Sequence, residues 1–141
     1  MADTPEGKLK KAVKKELKKR GIWYFMPMQN GMGVVGIPDF VCCDAGWFLA
    51  IETKAPGKLT KSPGMVVLRG PVEGMPQAVT ANQRNVLQAV RDSGGAAVAV
   101  DDMAQLVAVL DHLQWRRFRL RYLLRVATRV LKHLRRHRRQ L

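Results

Sequence analysis

Three side chains have the types and spacing to do chemistry: Asp39, behind Pro38, and Glu52 and Lys54, in Glu52-Thr53-Lys54. On a strand, Glu52 and Lys54 share one face, while Ile51 and Thr53 share the other. Two β-prone runs, Phe40-Val41-Cys42-Cys43 and Trp47-Phe48-Leu49-Ala50-Ile51, flank Asp44-Ala45-Gly46, a hairpin signal. With a two-residue loop at Ala45-Gly46, Asp44 faces Trp47 and Asp39 faces Glu52, their Cβ atoms about 5 Å apart. Like charges opposite each other destabilise an ordinary sheet. A divalent cation turns that repulsion into coordination. Mg²⁺ takes hard oxygen ligands, commonly one or two carboxylates with water and phosphate. A lysine beside such an ion adds positive charge where negative charge develops in hydrolysis. A three-residue loop with a bulge at Gly46 would instead turn Asp39 away, unless Pro38 distorts the strand and restores the approach. An ordinary solvent-facing hairpin is the plainer alternative, because Glu-x-Lys alone is common.

A second pattern does not survive inspection. Gly31-Met32-Gly33-Val34-Val35-Gly36 matches the dinucleotide fingerprint, with Glu52 at a suitable distance. That mechanism needs a helix opening at the last glycine, and Ile37-Pro38-Asp39-Phe40-Val41 reads as strand.

The elements that must position the trio can be read along the chain. Thr4-Pro5-Glu6 starts a helix: a capping hydroxyl, a first-turn proline and an acid at the positive end of the dipole. Leu9, Val13 and Leu17 form its apolar stripe, and Gly21 ends it. Ile22-Trp23-Tyr24-Phe25 predicts a strand, and residues 27–37 a loop. Residues 56–79 are rich in Gly and Pro and predict a long loop, with a possible small strand at Val66-Val67-Leu68. Thr80 and Gln83 fit a capping box, followed by Val86, Leu87 and Val90 at helical spacing. Ala96-Ala97-Val98-Ala99-Val100 predicts a buried strand. Asp101-Asp102 opens a last helix that can run to the C-terminus, since no Gly or Pro interrupts residues 103–141. The order α, β, β, β, α, β, α predicts an α/β domain, a mixed sheet with helices on both faces. The expected organisation is residues 1–112 as this domain and 113–141 as a basic helical extension.

Charge narrows the partners. The 141 residues carry a net charge of +14, with 47% apolar content. Residues 1–20 are net +5, 21–112 are net −2, and 113–141 hold 11 basic residues and no acidic one. Basic ends of this size suit a polyanion. Arg116, Arg121, Arg125 and Arg129 in the extension, and Lys58, Lys61 and Arg69 in the loop, are the candidate phosphate contacts. The last helix also carries an apolar seam at Leu106, Leu110, Leu113, Leu120, Leu124, Ala127, Leu131 and Leu134, interrupted by Arg117. Such a seam suits docking or subunit pairing. With Trp115 and Phe118 the extension could alternatively lie on an anionic membrane surface. No apolar run is long enough for a spanning helix. Adjacent Cys42 and Cys43 are poor disulfide partners, which with no signal-peptide pattern points to a reducing cytoplasm. His133 and His137 stand i,i+4 but lie among arginines that repel a cation, and His112 suits a helix end.

At its acidic and basic trio the chain resembles the PD-(D/E)XK nucleases. Gly36-Ile37-Pro38-Asp39 with Glu52-Thr53-Lys54 looks most like the VRR-NUC branch, the virus-type replication-repair nucleases, in their small stand-alone phage form. Trp23 through Pro27, Gln29-Asn30-Gly31, and Phe48 through Lys58 also resemble those domains, so the likeness covers residues 5–58 and resumes over 80–110. It implies a restriction-endonuclease-like core and a Mg²⁺-dependent (or Mn²⁺-dependent) DNA endonuclease. Branched or Holliday-junction DNA as substrate and a homodimer are implied with it, in a bacterial or phage-infected cytoplasm. Asp39 and Glu52 match the family's metal-binding carboxylates, with the Thr53 carbonyl as a further ligand. Lys54 matches the lysine that orients or activates water. Glu16 matches a helical acid of the family, although pairing with Arg20 explains it equally well. Gln83 matches a glutamine on the following helix, as well as its capping role. The 56–79 insert departs from the family pattern. A non-catalytic DNA-binding module on the same fold is the alternative.

Overall fold

The computed structural model describes residues 4–28, 33–59 and 78–137, without the side chains of residues 116, 117, 119, 121, 122 and 130–137. The elements are α1 (Pro5–Lys19), β1 (Trp23–Phe25), β2 (Phe40–Asp44), β3 (Trp47–Thr53), α2 (Ala81–Asp92), β4 (Ala96–Val100) and α3 (Met103–His137). Thr4 caps α1, its hydroxyl accepting from the Gly7 amide at 3.1 Å, and Leu9, Val13 and Leu17 are its buried stripe. Gly21, at φ 67°, closes the helix in the left-handed conformation that glycine tolerates best. Ile22 precedes β1 and is buried. Asp102 caps α3 by accepting from the Gln105 amide at 2.8 Å. The Val66-Val67-Leu68 strand expectation lies outside the described residues.

The strands form one mixed sheet in the order β1-β2-β3-β4, antiparallel except for the parallel pair β3–β4. The hairpin has the two-residue loop. Asp44 pairs with Trp47 and Phe40 with Ile51, so there is no bulge. Ala45 (φ 49°) and Gly46 (φ 89°) both take the positive φ that a tight hairpin turn of this length requires.

β3 is buried from Leu49 through Thr53, on both of its faces, as expected of a strand covered on both sides. One face carries Leu49, Ile51 and Thr53, continued by Phe40 and Cys42 and by Val98 and Val100 through the strand register. The other carries Ala50 and Glu52, next to Ala97 and Ala99, and packs against Leu87 of α2. Leu59 and Val79, at the two ends of the 60–77 segment, are both buried in this second cluster. The Leu59 amide also donates to the buried Asp101 carboxylate at 2.7 Å. Cys42 and Cys43 are unbonded and lie on opposite faces, and burial pushes the Cys42 thiol up to about 12.

The chain divides into two compact units, Met1–Leu106 and Val107–Leu141. In the second unit Leu120 and Leu124 of the apolar seam are exposed, as are Trp115 and Phe118. Among the described residues no helix is long and apolar enough to cross a membrane.

A Cβ at Gly46 would meet no atom within 4 Å. The cost of a side chain there is therefore the backbone's alone. Gly46→Val should lower stability by about 1 kcal/mol or more, and Gly46→Asn by less, measured by urea unfolding. Equal costs would mean the turn does not hold its left-handed geometry.

Candidate active site

The site forms where the hairpin's open end meets the start of α2. Glu52 is the second-last residue of β3 and only 3% exposed. Its carboxylate Oε1 accepts from Lys54 Nζ at 2.8 Å and from Gln83 Nε2. Lys54 Nζ also donates to Gln83 Oε1 at 2.9 Å, closing a three-membered ring of contacts. Lys54 lies just past β3, fixed by its amide donating to the Val100 carbonyl at 2.9 Å.

Gln83 caps α2 and also touches Glu52 and Lys54. Its Oε1 accepts from the Thr80 amide at 3.0 Å, while its own amide donates to the Thr80 hydroxyl at 3.3 Å. The capping box therefore fixes the side chain that reaches Glu52 and Lys54. Gly36 makes room for this approach. At φ 89°, a Cβ there would stand 2.5 Å from the Asn82 carbonyl carbon and 2.7 Å from the Gln83 nitrogen. The last glycine of the dinucleotide-like pattern thus serves close packing against α2.

Asp39 precedes β2, one step beyond the Phe40–Ile51 pair, so it holds the position opposite Glu52. The two carboxylates do not simply stand side by side. Asp39 Oδ2 accepts from the Thr53 amide at 2.9 Å and from the Thr53 hydroxyl, which is on the face away from Glu52. Its Oδ1 pairs with Lys10 Nζ of α1 at 2.8 Å. The Asp39 amide in turn donates to the Glu52 carboxylate. Pro38 explains the departure, since it offers no amide to continue the ladder and leaves Asp39 outside the regular strand.

Burial pushes the Glu52 carboxyl above its ordinary range, and the Asp39 charge adds to the shift, while Lys54 and the Asp39 amide pull the other way. For Lys10, burial disfavours the ammonium ion, but its bonds to Asp39 and to Glu6 outweigh that and raise its pKa. Lys10 is the site residue that the sequence reading missed. It lies one residue past the Leu9 stripe and looked like one more solvated lysine, and only the packing of α1 brings it to the hairpin.

The other expected residues are more scattered. The Arg20 guanidinium, 2.7 Å away, holds the Glu16 carboxyl below the usual range, with Lys19 Nζ at 3.7 Å. The ion-pair account of Glu16 therefore describes its contacts. Lys58, Arg125 and Arg129 are exposed. Lys61 and Arg69 lie outside the described residues, and Arg116 and Arg121 are on α3 without described side chains.

The donor set can be tested against a divalent cation. Asp39 and Glu52 are two hard carboxylates, and the Asp39 charge adds to the upward shift that burial gives Glu52, a repulsion a cation would relieve. Among the described residues no group of three or more His, Cys, Asp or Glu could hold a metal. Carboxylates and a backbone carbonyl are donor types that Mg²⁺ accepts, and here both Asp39 oxygens are engaged by Lys10 and Thr53. In comparisons with protein-family models, curated proteins and solved structures, nothing matched this chain.

The raised Glu52 pKa carries a sign. Between the ordinary carboxylate value and the raised one, the folded state binds more protons than the unfolded state. The Glu52 contribution to stability therefore falls as pH rises through that window. Glu52→Gln should remove this slope from the metal-free protein, measured by thermal unfolding from pH 4 to 8. An unchanged slope would place the titration elsewhere.

Proposed function

We propose that this protein is a metal-dependent DNA endonuclease of the PD-(D/E)XK type, hydrolysing phosphodiester bonds. The observation that supports it is the meeting of Asp39, Glu52, Lys54 and Gln83 at one end of one hairpin. Residues from three separate stretches of the chain come together at the buried Glu52, and the mixed α/β sheet is compatible with that nuclease core. Branched or junction DNA as the substrate, and a homodimer as the working form, rest on the family resemblance alone.

In this reading Asp39, Glu52 and the Thr53 carbonyl hold a divalent cation, Mg²⁺ or Mn²⁺. Such an ion neutralises charge at a phosphoryl oxygen and lowers the pKa of water. Lys54 places an ammonium group next to Glu52, with two of its three donors held by Glu52 and Gln83. The third can reach a phosphoryl oxygen, and the ring of contacts keeps the ammonium from swinging away. Preorganised charge of this kind acts where negative charge develops. Lys10 balances Asp39 from the side of α1. Gln83 orients Lys54 and Glu52 together.

A second reading has its own observation. Both oxygens of Asp39 are engaged within the protein, by Lys10 and Thr53. A non-catalytic DNA-binding module would keep them so.

Cleavage of labelled linear, flap and four-way-junction DNA separates the two readings. With Mg²⁺, the wild type should cleave and EDTA should stop it. Asp39→Asn and Glu52→Gln should lower turnover by orders of magnitude with DNA binding retained, and Lys54→Ala should depress rate far more than affinity. Ca²⁺ should support binding without efficient cleavage. Equal activity of Asp39→Asn and the wild type would sink the nuclease assignment.

The basic extension has a separate test. From Gln114 onward there is no acidic residue to pair the arginines within the segment. Deleting 114–141 should weaken binding to all DNA sequences alike. It should also flatten the salt dependence, by about 0.9 in log–log slope for each lost phosphate contact. Unchanged affinity and slope would rule out this role, and binding to anionic vesicles in preference to DNA would favour the membrane-surface alternative.

A further inference from the structure

The face of the sheet that carries Glu52 is built in rows. Trp23 pairs with Cys43, and Cys43 with Phe48, so these three side chains form one row across β1, β2 and β3. Phe25, Val41 and Ala50 form the next row. The row after that is the Asp39–Glu52 position. Successive rows lie about 7 Å apart along the strands. The aromatic members are strongly exposed: Trp23 63%, Phe25 55% and Phe48 45%. α2 packs against β4 and leaves the β1 side of this face uncovered among the described residues. Beside Phe48 an open apolar recess of about 460 Å³ continues the surface towards Val86 and Val90 of α2.

From these rows we infer that the face is a stacking platform for unpaired nucleotides leading to the Asp39–Glu52 site. This inference rests on the nuclease reading for the site's chemistry, and its own content is the substrate class: nucleic acid with a single-stranded segment. The occupant follows from three features. Exposed rings two residues apart on one strand, with a third across the sheet, offer flat π faces to successive bases, and every base can stack irrespective of sequence. The rows end at the carboxylate position, so a strand that stacks along them delivers its backbone to that point. The cations at that end are Lys54, bonded to Glu52, and Arg84, which follows the Glu52-bound Gln83 in α2, and they suit the phosphates of the same strand. Apart from Asp39 and Glu52 themselves, the paired strand positions of this face carry no acid.

The test uses full-length protein in EDTA, so that binding is read without cleavage and stands apart from the nuclease assignment. Affinity for oligo(dT) and for a duplex of equal length is measured by fluorescence anisotropy. Trp23→Leu with Phe25→Leu keeps apolar area and removes the rings. It should weaken oligo(dT) binding about tenfold or more and duplex binding less than twofold. Trp23→Phe should retain affinity, yet lose the part of the tryptophan quenching that oligo(dT) causes in the wild type. Unchanged oligo(dT) affinity in the double variant would overturn the inference, as would an equal loss on duplex. If the double variant instead keeps its affinity and dissociates a dimer in sedimentation, the face belongs to a second copy of the chain and the inference is wrong.

Discussion

A carboxylate buried at the end of a central strand sets the terms for everything around it. Glu52 sits where β3 is covered on both faces, and an ion in such a place must be hydrogen-bonded or neutralised. Lys54, Gln83 and the Asp39 amide supply those partners. Each comes with its own structural requirement. Lys54 must follow β3 in register with β4, Gln83 must stand in the first turn of a helix capped by Thr80, and Gly36 must lack a side chain so that this helix end can approach. The local rules of turn, cap and ladder are in this sense all answers to one charge.

Pleating divides the labour between the two faces of the sheet. Phe40, Cys42, Leu49, Ile51, Val98 and Val100 give one face its core. The alternate positions carry the exposed rings, the buried acid and the alanines that let α2 come close to β3 and β4. A shift of one residue in the β2–β3 register would exchange these roles. The Ala45-Gly46 turn guards against that shift because a two-residue loop with positive φ at both positions joins the strands without a bulge.

Much of this was legible in the residues. Helix starts, the hairpin turn and the pairing of position 39 with 52 follow from short-range chemistry that acts within a few residues. Gln83 was legible as a cap, and its carbonyl oxygen accepts from the Thr80 amide and from Lys54 together. Other features depend on tertiary packing that no local pattern encodes. The contact of Lys10 with Asp39 needs α1 docked against the sheet. The way Asp39 turns to Thr53 needs the irregular backbone after Pro38. Glu16 could be read in two ways because its spacing to Arg20 satisfies a helix pair without any sheet at all.

The parallel pairing of β3 with β4 has a consequence for how the protein comes to exist. The β2–β3 hairpin closes over two residues, but Leu49 finds Ala96 only after the 60–77 segment and α2 have been bridged. Contacts of such long sequence separation form late, because loop closure must precede any gain from them. Until that closure Lys54 has no Val100 carbonyl to fix it and Glu52 has no Ala99 beside it. A hairpin formed ahead of that closure would hold its acid still hydrated, and the acid would lose its water only as β4 docks. Lengthening the bridged segment raises the closure entropy only logarithmically, so an insertion there slows the arrival of the site more than it weakens the finished fold.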